Sequence, residues 1–299
     1  MSKFTIAITV LILIISCGFN GELKQNDQRV LSEEFKRYWF NNGAELNVYE
    51  LKQVRYGEVR KGKAVLVFVS ESFNPDKLVK SDEYKKENIP VLKLNYIKKF
   101  VTGVYDYSMM TSDFFPLYSG NHALKISSSS QEWCGHTFMQ LENKNDFQVR
   151  LHSYFETEGE QFFKLKKQHL EDDLMNQIRI GTELLPQGEV LMIPGFFYLR
   201  LKHQEFGSKK AFTVLKEDTD STMIYQVNYP DLKREIQIKF IKKFPRTILS
   251  WKESYPESWT DNTNIMSTEA VLTNQMRLLY WEKNGLADSI YRKELSLPE

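Results

Sequence analysis

The chain has 299 residues, 41% hydrophobic and 26% charged, with a formal net charge of +1. That balance excludes wholesale disorder and lacks the basic stripe of a nucleic-acid binder, so no nucleic-acid partner is expected. Aromatic residues make up 13%, and large aromatics favour half-buried pleated sheet.

Residues 1–17, MSKFTIAITVLILIISC, place Lys3 in a short leading segment, an apolar run over 4–15, and a small residue before Cys17. This is the pattern of a secretory signal, too short for a typical membrane span. Ile14-Ile15-Ser16-Cys17 resembles a bacterial lipobox: aliphatic, aliphatic, small, Cys. The resemblance implies cleavage after residue 16 and acylation of Cys17 with palmitate-type chains. Several chains on one residue anchor a protein stably to a lipid bilayer. The expected location is the cell envelope, at the outer membrane. Loss of Lys3 would leave acidic and basic side chains balanced. Acylation would leave Cys134 as the single thiol, so no intramolecular disulfide is expected.

Residues 17–30 are polar and aperiodic and read as a flexible tether, followed by one domain over 31–299. "LSEEFKRYWFNNG" predicts a helix, with Ser32 as N-cap, acids in the first turn and Asn42-Gly43 as the stop. Phe35 and Trp39 lie four apart and would dock on the body. From Glu45 the hydrophobic period changes to two. "ELNVYELKQVRYGEV" and "GKAVLVFVSESF" predict a hairpin turning at Arg60-Lys61-Gly62. A turn is expected at Gly103, and another hairpin at Lys144-Asn145. One helix interrupts, "HLEDDLMNQIRIG", with Leu170, Leu174 and Ile178 on one face. Its early acids, Glu171, Asp172 and Asp173, suit the helix dipole better than acid–base catalysis. Strands then resume, including "GEVLMIPGFFYLRLKH". From Met266 the pattern is mixed.

The whole predicts a mainly β fold: a large curved antiparallel sheet or half-barrel with a few covering helices. Apolarity on both faces of "GFFYLRLKH" and "VLVFVSESF" predicts a covered sheet or the wall of an apolar groove.

One stretch invites chemistry. If "SSSSQEWCGHTFMQL", 127–141, is one strand, Glu132, Cys134, His136 and Phe138 share a face. Trp133, Gly135, Thr137, Met139 and Leu141 would then face the core. The next strand could bring His152, Tyr154 and Glu156 alongside. A Cys134/His136/His152 set would suit a thiol nucleophile with its base, or a metal site. The spacing is not a zinc signature, and no phosphate loop, H-E-x-x-H or G-x-S-x-G occurs. No catalytic or metal-ligating residue is therefore assigned, and no cofactor is expected. His122, His169 and His203 read as solvated or capping.

The segments "YGEVRKGKAVLVFVSESF", "VLKLNYIKKFVTGVYDYSMMTS", "SSQEWCGHTFMQL" and "FPRTILSWKESY" resemble a family of uncharacterised lipoproteins of Bacteroidota, over about residues 31–280. Some members carry the label septum formation inhibitor Maf. True Maf proteins use an S-x-S-P-R-R type loop, whereas Gln131 and Glu132 follow the serines 127–130 here, so no catalytic residue carries over. The strand pattern is similar in architecture to the half-barrel carriers of the LolA and LolB type. The expectation is a membrane-anchored envelope lipoprotein with a non-enzymatic binding or envelope-assembly role, its partners an apolar ligand or an envelope protein. The alternatives are a hydrolase or metal enzyme centred on Cys134, His136 and His152, and the Maf-type protein that the label implies.

Overall fold

A computed structural model describes residues 28–298, apart from 42, 84 and 258–262. The signal segment and Cys17 lie outside the described residues. Sixteen strands form one sheet. They are β1 (Ala44–Arg55), β2 (Glu58–Asn74), β3 (Val79–Lys80), β4 (Ile89–Thr102), β5 (Tyr105–Pro116), β6 (Lys125–Glu132), β7 (Gly135–Asn143) and β8 (Phe147–Ser153). Then follow β9 (Glu160–Leu165), β10 (His169–Leu170), β11 (Gly188–Ile193), β12 (Lys209–Glu217), β13 (Thr222–Tyr229), β14 (Arg234–Ile241), β15 (Ile248–Pro256) and β16 (Ile265–Leu278).

Across the sheet the order is β10, β11, β12, β13, β14, β15, β16, β1, β2, β4, β5, β6, β7, β8, β9, with β3 beside β2 only. Every pairing is antiparallel except the two-residue β10–β11 contact. The ends, β9 and β10, do not pair, so the sheet stays open. It is also strongly curved. In a flat sheet β4 and β14 would lie about 25 Å apart at ~4.8 Å per strand. Here Leu94 of β4 and Ile236 of β14 share one core with two helices, α2 (Leu174–Ile180) and α3 (Phe196–Lys202). The helices therefore fill the hollow of a half-barrel. A third, α1 (Glu33–Trp39), buries Phe35 and Trp39 in that same core, and α4 (Ile290–Glu294) stays at the surface.

The expected mainly β, curved antiparallel sheet with a few helices is the observed architecture. The first helix follows its sequence signals. Ser32 Oγ accepts from Phe35 N at 3.0 Å, and Phe35 and Trp39 are buried. Elsewhere the details differ. Arg60-Lys61-Gly62 is not a turn: β2 runs straight through it, and the chain reverses at Tyr56-Gly57, where both φ angles are positive. Gly62 is needed for another reason. A Cβ there would sit 2.3 Å from the Lys99 carbonyl oxygen of β4. "FFYLRLK" is helix α3, with Gly195 as its N-cap, rather than strand. All seven of its residues are buried, so it lacks the polar face that would have revealed a helical period. The mixed segment after Met266 forms most of β16, which pairs with β1 and closes the N- and C-terminal halves together.

Gly62→Ala should therefore destabilise the fold by roughly 2–3 kcal/mol, because backbone rather than a flexible side chain must yield. Urea unfolding should show a lower midpoint at an unchanged slope.

Candidate functional site

The helical layer is held by ions. Arg179 of α2 bonds both oxygens of Glu45 on β1, at 2.6 and 2.7 Å, and both side chains are fully buried. Asn47 adds a 2.8 Å bond to the same carboxylate. Burial alone would raise the Glu45 pKa, but Arg179 and its hydrogen bonds bring it down to about 2. On the other side Arg234 of β14 grips Glu171 through two bonds of 2.6 Å and reaches Glu253 at 2.7 Å. Its guanidinium lies 4.0 Å from the ring centre of Tyr198. The acids at 171–173 thus do more than offset a helix dipole. Asp172 accepts from Phe196 N at 3.0 Å, which ties α3 to α2. Asp173 is buried and accepts from Ala123 N at 3.2 Å.

Beside the Arg234 clamp lies a chamber of about 70 Å³, lined in part by Lys98, Asp113, Asp172, Arg234 and Glu253. That volume suits a few water molecules rather than an organic ligand. Burial and then the neighbouring Glu171 charge push Asp172 up to about 8. Burial, with Asp173 beside it, also raises Asp113, whose two oxygens have no hydrogen-bond partner. Lys98 is pulled down by burial, donates to Gln53 at 3.2 Å and lies over the rings of Tyr96 and Phe197. The chamber joins helices to sheet.

A second hollow is larger, about 350 Å³, between α3 and the strands β6 to β9. Met139, Leu151, Phe163, Phe196, Leu199 and Phe206 line it. Its polar end holds Ser130, Glu158, Arg200 and His203. The Arg200 side chain is almost fully buried, yet its nearest carboxylates, Glu132 and Glu158, are 3.8 and 3.9 Å away. Arg200 Nε and the buried Ser130 Oγ have no hydrogen-bond partner. Burial pulls the Arg200 pKa down, with Glu158 opposing. Glu158 itself is held low: burial works against it, but hydrogen bonds from His203 and Ser153 prevail.

The residues singled out in sequence fall elsewhere. Residues 127–141 are not one strand; β6 and β7 meet in a turn at Trp133-Cys134. Cys134 is exposed in that turn. Its backbone N–H donates to Glu132 Oε2 at 2.6 Å, and the Glu132 carboxylate pushes the thiol's pKa up. That opposes thiolate formation. Trp133 is exposed, not a core anchor. His136 and His152 do share the outer face, in a shallow depression with Phe138, Tyr154 and Glu160. Among the described residues no three His, Cys, Asp or Glu side chains are grouped to hold a metal. His122 and His169 are neither solvated nor capping. They pack edge-to-face, and burial followed by His122's proximity lowers His169 to about 4. An apolar groove was among the expectations, but sequence reasoning missed Arg200 and the groove's place between α3 and β6–β9, because its lining runs from residue 128 to 206. The one early signal was the two-sided apolarity of "GFFYLRLKH".

Scans of protein-family models, curated proteins and solved structures each return no match. Among the described residues no helix is long and apolar enough to cross a membrane.

Two outcomes follow from the clamps. Arg234→Met strands Glu171 and Glu253, and should cost about 3–5 kcal/mol in chemical denaturation. The second concerns pH. Asp172 has its pKa raised on folding, so its stabilising contribution is present below its unfolded value near 4 and is lost as pH rises toward 8. Asp172→Asn should flatten the stability–pH profile across that window, as measured by urea midpoints at successive pH values.

Proposed function

We propose that this chain is an envelope-anchored binding protein that holds an amphipathic molecule in the groove between α3 and β6–β9. The apolar part of the ligand lies along Met139, Leu151, Phe163 and Leu199, and its polar group meets Arg200 and Ser130. The observation that carries this reading is the pairing of apolar walls with two buried polar atoms that have no partner. Unpaired buried donors are costly, and a ligand that satisfies them recovers that cost on binding. The volume falls in the range of small-molecule pockets. The lipobox resemblance at Cys17 supports the envelope location, with the bilayer as the partner of the acylated residue. A hydrolase or metal centre at Cys134, His136 and His152 draws no support from the exposed thiol and its raised pKa.

The test is titration of the full chain with a fluorescent fatty acid such as dansyl-undecanoate. Leu151→Trp fills the groove and should weaken binding by about tenfold or more, ~1.4 kcal/mol. His152→Ala, one residue on and facing the opposite side of β8, should bind as the parent does. Equal binding by all three proteins would sink the proposal.

A further inference from the structure

In an antiparallel sheet alternate turns gather at opposite ends. At one end lie the β2–β3, β7–β8 and β12–β13 turns. Their residues are Pro75-Asp76-Lys77, Lys144-Asn145-Asp146 and Asp218-Thr219-Asp220-Ser221. These are ordinary polar turn residues. At the other end four successive hairpins carry Tyr56, Val104, Trp133 and Tyr154 at their tips. These side chains are 52%, 79%, 73% and 76% exposed. Exposed apolar residues scattered singly need no explanation, but one at every tip of a row does.

The four tips form one contiguous rim. Successive hairpins are two strand spacings apart, about 10 Å. The Tyr105 hydroxyl, beside the second tip, donates to Tyr56 at 3.2 Å. Tyr154 lies across Gly135, where a Cβ would come 2.6 Å from its ring. That approach accounts for the glycine after Trp133-Cys134. Beneath the tips, exposed Val59, Val101 and Phe138 extend the apolar band along the strands. The rim also borders the mouth of the groove, because Thr157 and Glu158 of the β8–β9 connection line that hollow, with Gln161 at the start of β9.

We propose that this rim is a lipid-contact surface that seats in the interfacial layer of a phospholipid membrane. Trp and Tyr suit that layer because each has an apolar body and a polar handle. Shallow insertion of a few such side chains gives reversible attachment. The three turns at the far end carry no such side chain at their tips, although Phe40, Val79 and Trp281 are partly exposed near that end. The described chain also begins at that far end, where Arg29 bonds the carbonyls of Leu117 and Gly120 at 2.9 and 2.6 Å. An amphipathic molecule leaving or entering the groove would do so beside this contact.

Cys134 sits in the rim and provides the reporter. The full chain is labelled there with a nitrobenzoxadiazole dye, with Cys134→Ser as the labelling control. Protein-free vesicles of phosphatidylcholine and phosphatidylglycerol, with and without doxyl-labelled phosphatidylcholine, are then added. The expected result is a blue shift with plain vesicles and quenching with doxyl vesicles. Both should fall about fivefold or more in a W133S/Y154S double variant whose circular dichroism is unchanged, since exposed tip substitutions leave folding intact. No shift and no quenching overturns the proposal, as does a response that survives the double substitution. A blue shift that grows with protein concentration without vesicles assigns the rim to a second copy of the chain and also overturns it. The readout requires nothing in the groove, so rim and groove can fail separately.

Discussion

An open sheet that curls this far needs something inside the curl, and here that filling is fastened by two buried guanidinium–carboxylate clamps. Arg179 ties α2 to Glu45 on β1, near the middle of the sheet. Arg234 on β14 ties the start of the same segment through Glu171 and reaches Glu253 on β15. Buried ion pairs add little net stability over apolar packing, but breaking one is expensive. What they contribute is geometry. Bidentate pairs on two different strands leave the helical layer one way to sit, and α3 follows through Asp172 and Phe196 N.

The position of α3 then decides what the concave face can do. On its inner side the walls close to a chamber of water-sized volume. On its outer side the strands β6 to β9 stand away from the helix, and a groove of ligand size remains. The same helix supplies Phe196 and Leu199 to the apolar walls and Arg200 to the polar end. A hollow with apolar walls and a polar end is thus a product of where one seven-residue helix rests. The open rim beside it carries aromatic tips, so a binding hollow and a lipid-seeking surface would share one end of the molecule.

Parts of this were legible in the sequence for local reasons. Ser32 capping, with Phe35 and Trp39 four apart, is a signal contained within one turn, and α1 forms as read. Alternation marks strands because side-chain parity is also local. The failures share a cause as well. Trp133-Cys134 contains none of the glycine, asparagine or aspartate that marks a tight turn, so parity was carried through a reversal and put Trp133 on the wrong side. Arg60-Lys61-Gly62 has turn composition, but its glycine answers to Lys99 on a neighbouring strand. Glu171, Asp172 and Asp173 satisfy a dipole argument, which hid the fact that their partners lie on β14, α3 and the loop before β6.

By itself the sequence determined the class of fold, the first helix and the period of the strands, because each rests on neighbours along the chain. Only the tertiary structure decided that "FFYLRLK" is a buried helix, that Arg200 and Ser130 line one groove, and that Cys134 stands on an exposed rim. Those outcomes depend on contacts between residues far apart in sequence, and no local pattern of polarity records them.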